Sequence, residues 1–137
     1  MKHLLALAFA FLLPVAALAA DTNQEEQHKA TEDAKAWLAL VDAGNYDQAW
    51  SDAAGRLRKT DKADWIASTK TMREALGALV RRHPSGVVMT KSVAGLSSGD
   101  YALVFFTTAY EKNPEATEKL TMVMDGGTWR TVTYTAK

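Results

Sequence analysis

The chain opens on an apolar run from Leu4 to Ala20, broken by Pro14 and preceded by Met1-Lys2-His3. A short basic start, an apolar stretch of this length and small residues at Ala17 and Ala19 are the parts of a cleavable export signal. The pattern predicts a signal peptide over residues 1–19, cut after Ala19 or after Ala20. The run is also close to the shortest that can cross a bilayer, so an uncleaved anchor is the competing reading. Residues 20–29 are polar and acidic and predict a flexible lead-in or the frayed start of a helix.

From Ala30 the period becomes helical. Ala30, Ala34, Trp37, Leu38 and Val41 recur at three- and four-residue steps, which places them on one helix face. Gly44 is placed to end that helix, and Asn45 to cap a short second one over Tyr46–Ala54. Gly55 to Lys59 reads as a basic connector. Thr60 or Asp61 then caps a third helix, Lys62 to Leu79, whose apolar face is Trp65, Ile66, Met72, Leu76 and Leu79.

After His83-Pro84-Ser85-Gly86 the period drops to two. Val87 to Val93 predicts a strand, and Ser97-Ser98-Gly99-Asp100 a turn. Tyr101 to Tyr110 is apolar on both parities, the pattern of a central strand covered on both faces. Asn113-Pro114 turns the chain again. Leu120, Met122 and Met124 alternate with Thr121 and Val123, Asp125-Gly126-Gly127 signals a tight hairpin, and Trp129 to Thr135 closes the chain. Helices first and strands afterwards predict an α+β fold: N-terminal helices packed on a curved antiparallel meander of three to four strands, after a signal peptide. Residues 30–137 form a single α+β domain in this reading.

Composition narrows the function classes. Cutting after Ala19 leaves 118 of the 137 residues, enough for a core without covalent staples. The chain has no cysteine, which removes disulfides, a thiol nucleophile, thiolate metal ligands and a lipid-modified N-terminal cysteine. Of 16 basic and 16 acidic residues only Lys2 lies in the signal, so the mature chain carries 15 against 16. Near-neutral charge and export both argue against nucleic acid as a partner.

Candidate chemistry is sparse. Gly95-Leu96-Ser97-Ser98-Gly99 matches the spacing of a nucleophile elbow, but that chemistry needs a strand-to-helix turn with an acid and a histidine downstream. Here the context is strand to strand, and His28 and His83 lie upstream. The two histidines are far apart and form no zinc-binding helix pair, so neither a metal nor any cofactor is expected. Asp42, Asp47, Asp52, Asp100, Glu111 and Glu118 offer carboxylates without a defined separation, and no catalytic residue is assigned. For Glu118 the simplest role is a cross-strand ion pair, with Arg130 or a lysine. Arg56-Leu57-Arg58-Lys59 and Arg81-Arg82 could attract an anionic partner or lipid head groups, but at this low net charge they read as solvated connectors.

Aromatic residues are the strongest signal. Trp37, Trp50, Trp65 and Trp129 all fall in predicted elements, and each aromatic buries on the order of 150–250 Å². Most simply they are the core. Trp65, Phe106 or Trp129 could instead line a pocket. Arg73 and Arg130 sit near apolar faces, where each would brace the layers against one another or meet an anionic ligand. These five residues, Trp65, Arg73, Phe106, Trp129 and Arg130, are the candidate ligand-binding set.

The spaced residues resemble a bacterial family known as domain of unknown function 4019. The likeness runs through Ala36-Trp37-Leu38, Val41-Asp42-Ala43-Gly44-Asn45-Tyr46, Trp50, Trp65 and Met72-Arg73-Glu74-Ala75-Leu76-Gly77. It resumes at Gly99-Asp100-Tyr101, Phe106, Thr108, Tyr110, Glu118, Leu120 and Thr121, and ends in Asp125-Gly126-Gly127-Thr128-Trp129-Arg130 with Tyr134. Ala75 and Thr133 depart from it, standing where the family usually has proline and glycine. The resemblance implies an exported domain similar to the nuclear-transport-factor-2-like or cystatin-like α+β cone, and no activity. The expectation is a periplasmic or secreted, non-catalytic module that binds a small ligand or an envelope protein. No membrane span remains after cleavage, and the doubly apolar strand allows a homodimer through the sheet. The alternative is a cofactor-free isomerase, hydratase or hydrolase with a carboxylate in a cone pocket.

Overall fold

The computed structural model describes residues 16–137, with side chains from residue 19 onward. The expected signal peptide falls mainly on residues 1–15, which lie outside the described residues. Helix α1 spans Ala16–Asp42, α2 Tyr46–Asp52 and α3 Lys62–Leu76, with a 3-10 turn at Leu57–Lys59 between the last two. Strands β1 (Leu79–Thr90), β2 (Tyr101–Tyr110), β3 (Ala116–Asp125) and β4 (Thr128–Ala136) follow. They pair antiparallel in the order β1-β2-β3-β4, an open meander with the helices on one face. This is the α+β architecture that helix-then-strand order predicts. No helix among the described residues is long and apolar enough to cross a membrane.

Local chemistry explains most of the boundaries. Residues 20–29, expected as a lead-in or helix start, are helical throughout as part of α1. Alpha1 stops where Gly44 donates to the Val41 carbonyl and Asn45 to that of Leu40, the bonds of a glycine-terminated helix. Asn45 precedes α2, but its side chain makes no capping bond. Asp61 caps α3, accepting from the Asp64 N–H at 3.1 Å. The basic connector is tighter than expected: Leu57 is buried in the 3-10 turn, and Arg58 donates to the Ser51 carbonyl.

Four boundaries differ from expectation, the first being the end of α2, at Asp52 rather than Ala54. Helix α3 ends at Leu76 rather than Leu79, because Gly77 takes φ 78°, ψ −165°, a conformation open essentially only to glycine. The chain turns at once into β1, where Leu79 pairs with Tyr110. Strand β1 therefore starts eight residues before Val87 and ends at Thr90 rather than Val93. It contains His83-Pro84-Ser85-Gly86, which reads as a boundary in sequence. Proline is tolerated there because β1 is an edge strand, and the register shifts beside it, between Pro84 and Gly86.

Strand β2 is central and its middle is covered mainly on one face, although Tyr101 and Ala109, at its ends on the other parity, are buried too. Ala102, Val104, Phe106, Thr108 and Tyr110 are buried against the helices, whereas Leu103 and Phe105 are half-buried and Thr107 is exposed. The ammonium of Lys119 lies 5.8 Å from the Phe105 ring on the outer side. Between helices and sheet the space is filled by Trp37, Leu38, Val41, Phe106, Leu120 and Met122, all fully or nearly fully buried. Trp37 anchors this core three ways: its Nε1 donates to the Ala49 carbonyl at 2.8 Å, and its ring packs on Trp65 and edge-on against Tyr134.

Candidate functional site

One end of the buried sheet face is polar. Glu118 on β3 is wholly inaccessible to solvent, yet its carboxylate collects donors from every other strand. Arg82 of β1 gives Nε to Oε2 at 2.5 Å and Nη2 to Oε1 at 3.1 Å. From β2, Thr108 donates its hydroxyl at 2.7 Å and Tyr110 makes a short bond to Oε1. Tyr134 of β4 donates at 2.6 Å. The Arg82 guanidinium reaches on to Asp42, the last residue of α1, with bonds of 2.7 and 3.0 Å. Arg73 of α3 joins Asp42 through Nη2 at 2.7 Å and lays its guanidinium 5.0 Å from the Tyr110 ring centre. Two arginines and two acids thus form a nearly neutral chain that ties four strands to two helices.

The register makes this convergence. Phe106 pairs with Glu118, Arg82 with Thr108, and Glu118 with Ala136, so these side chains share one face within a few residues of one another. A buried carboxylate would ordinarily hold its proton more tightly. Burial does push Glu118 up, but the bonds from Arg82, Tyr110 and Tyr134 and the charge of Arg82 outweigh it and leave its pKa lowered. Burial likewise opposes the charge on Arg82, and bonding to Asp42 and Glu118 overcomes it, so the guanidinium stays charged. Burial and the bonded Glu118 carboxylate raise Tyr110 to about 12. Tyr134 is also raised, by burial first and then by the charge of Glu118.

The cross-strand ion pair expected for Glu118 is present, with Arg82 as the partner in place of Arg130 or a lysine. Arg82 is a partly buried residue of β1, its side chain 11 % exposed, rather than part of a solvated connector, because β1 starts well before its apolar stretch. A usable signal existed: Thr108, Tyr110 and Glu118 lie at the same parity as the core residues of their strands, and Tyr134 at that of Val132. Polar groups on an apolar parity in adjacent strands must find one another.

The candidate ligand residues separate. Phe106 is a wholly buried core residue, and Trp65 packs on Trp37 with ring centres 6.1 Å apart. Arg73 belongs to the polar chain. Only Trp129 and Arg130 come together, in a groove of about 400 Å³ between α1 and β4 that Asp33, Trp37, Leu40 and Asp52 also line. There Asp33 accepts the Trp129 backbone N–H at 2.9 Å, and Arg130 donates to the Asp52 carbonyl at 3.2 Å. The Ser97-Ser98-Gly99 turn leads from β1 to β2 with no helix, so it lacks the geometry of a nucleophile elbow. Among the described residues, no three His, Asp or Glu side chains gather as a metal site would need.

Comparison with curated proteins and with solved structures finds no match. Comparison with family models matches residues 33–134, from the middle of α1 to Tyr134, to a protein of unknown function, DUF4019. That match spans the polar chain, both tryptophans of the groove, strands β1 to β3 and most of β4, and the chain belongs to the domain of unknown function 4019 family.

Proposed function

We propose that this chain is an exported, non-catalytic binding module. The observation that carries the reading is the saturation of Glu118. An ionised carboxylate offers about four lone-pair sites, and five donors already occupy them. A general base must reach a substrate proton, and this carboxylate has neither a free acceptor position nor solvent access. That weighs against an enzyme built on a carboxylate in a pocket. The open groove at Trp129 and Arg130 is where we place a ligand. It joins tryptophan edges to charged rims, the mix that binding clefts use for affinity and orientation.

The seat is tested with 5-fluorotryptophan-labelled protein. Titration with a panel of amino acids, dipeptides and monosaccharides is expected to move the Trp37 or Trp129 fluorine resonance saturably with at least one member. If every resonance stays still across the panel, the groove assignment fails. Export is tested by the intact mass of the protein from a periplasmic or culture-medium fraction. The expected mass lacks residues 1–19 or 1–20, and a full-length mass in the membrane fraction overturns it. The outer sheet face, with Val88 half exposed beside Leu103, is where we place a second copy. Sedimentation at rising concentration is expected to show a dimer, and a monomer throughout removes that proposal.

A further inference from the structure

The two edges of the sheet are finished differently. Along β4 the chain that leaves α2 covers the edge: the Ala54 N–H donates to the Thr131 carbonyl at 2.9 Å, and Arg130 reaches the Asp52 carbonyl. Along β1, among the described residues, no backbone group from Val80 to Thr90 bonds to another backbone group outside β2. An open edge is a row of N–H and C=O groups ready to pair with another strand, and proteins blunt it with proline, bulges and charge.

The first half of β1 is blunted in all three ways. Its register with β2 shifts between Leu79 and Arg81 and again between Pro84 and Gly86. Arg81, Arg82, His83 and Pro84 lie between the two shifts. The second half carries none of these devices. From Gly86 to Thr90 the pairing with Phe105 to Tyr101 is unbroken, and Gly86-Val87-Val88-Met89-Thr90 holds neither charge nor proline.

Exposed apolar surface gathers on the same strand. Leu79, Val80 and Val88 are the three large apolar side chains left exposed among the described residues, and all belong to β1. Only Val88 falls in the regular segment, and it stands at the centre of it. An uncharged, β-branched edge with an exposed apolar centre is suited to strand addition, where main-chain bonds hold the new strand and side chains select it.

We infer that Gly86–Thr90 pairs antiparallel with the same segment of a second copy, Val88 facing Val88 across a two-fold axis, so that two four-stranded sheets join into one. The segment is complementary to itself. Centred on Val88, the pairing sets Gly86 against Thr90 and Val87 against Met89, so the inward apolar side chains meet one another. His83 and Lys91 fall outside the overlap, and no like charges are opposed. Moving the centre to Val87 or to Met89 loses two of the five regular pairs and brings Pro84 or Lys91 into the ladder. The mature chain carries 15 basic against 16 acidic residues, so its net charge repels a second copy little. This interface lies beside the sheet, whereas the sheet-face placement above sets a copy over it, and neither depends on the groove at Trp129.

The test combines sedimentation with backbone hydrogen exchange of the mature protein. Edge pairing is expected to give a dimer and, as concentration rises, to slow exchange at those amides of Gly86–Thr90 that point away from β2. Val88→Lys and Val88→Glu, at a half-exposed position where folding is not at stake, are each expected to weaken dimerisation about tenfold by setting like charges face to face. An equimolar mixture of the two variants is expected to recover the dimer, because unlike charges then meet across the axis. A dimer whose edge amides exchange equally fast at every concentration overturns the inference and leaves the sheet-face placement standing. A monomer at every concentration overturns both placements and leaves the ligand reading to its fluorine test. Edge protection without recovery in the mixture overturns the register centred on Val88.

Discussion

The buried face of the sheet has two ends that are held by opposite means. At one, Ala102, Val104, Leu120, Met122 and Trp129 meet α1 chiefly through shape and dispersion, with one directed bond from the Trp129 backbone N–H to Asp33. At the other, Arg82, Thr108, Tyr110, Glu118 and Tyr134 meet Asp42 and Arg73 through directed bonds. Apolar packing is roughly proportional to area and degrades gradually when a side chain is trimmed. A buried ionic network depends on every partner, since removing one leaves another charge or hydroxyl without compensation. The apolar end therefore tolerates approximation, and the polar end does not.

The largest expected effect breaks the polar end. Glu118→Ala is expected to cost about 3–5 kcal/mol in urea unfolding, because Arg82 is left with Asp42 alone and the hydroxyls of Thr108, Tyr110 and Tyr134 lose the acceptor they share. If the loss is no greater than that of a conservative change in the apolar end, the contrast is wrong. Gly77→Ala comes next, at about 1–3 kcal/mol in the same measurement. Its φ of 78° strains any side chain, and an added Cβ would stand 3.1 Å from the Glu111 Cβ and 3.2 Å from the Lys112 Cγ. Met122→Leu in the apolar end should cost no more than about 1.5 kcal/mol, and its unfolding should stay cooperative.

The pH response sharpens the same contrast. Glu118 has a folded pKa below its ordinary 4.5, so its contribution is fully present above pH 4.5 and is lost as pH falls through the lowered value. Tyr110 is raised from 10.0 to about 12, so its contribution holds below pH 10 and is lost as pH rises toward 12. Thermal melts of the wild type should therefore weaken below pH 4.5 and above pH 10. Glu118→Gln should flatten the acid limb relative to wild type, and an unchanged acid limb would assign that loss to other groups. The smallest effect is expected at the surface. Lys91→Ala removes an ion pair with Asp100 in which both side chains are largely exposed, and it should change stability by less than about 0.5 kcal/mol.

Much of the fold is legible along the chain because its signals are local. The Asp125-Gly126-Gly127-Thr128 hairpin has glycines at φ 59° and 82°, the left-handed pair that its sequence announces. The Asp61 cap and the end of α1 at Gly44 are equally local. Strand β1 was harder to read: its apolar content is low, Pro84 interrupts it, and its pairing partner lies across a loop on β2. Edge strands need less burial, and so carry a weaker pattern. Of the candidate site, Trp129 and Arg130 are adjacent in sequence and stay together in space. Arg73, Trp65 and Phe106 share only chemistry with them, and the fold sends each to a different setting.

By itself the sequence determines the order and kind of the elements and the short connections that force an antiparallel meander. Those follow from periodicity, turn chemistry and the absence of cysteine, all readable within a few residues. Only the tertiary structure decided that Arg82 and Glu118 meet across β2 and that Asp42 joins them to Arg73. The reason is range: a charge pair between residues 36 apart in the chain has no local signature, and it exists only once strand register brings the two groups onto one buried face.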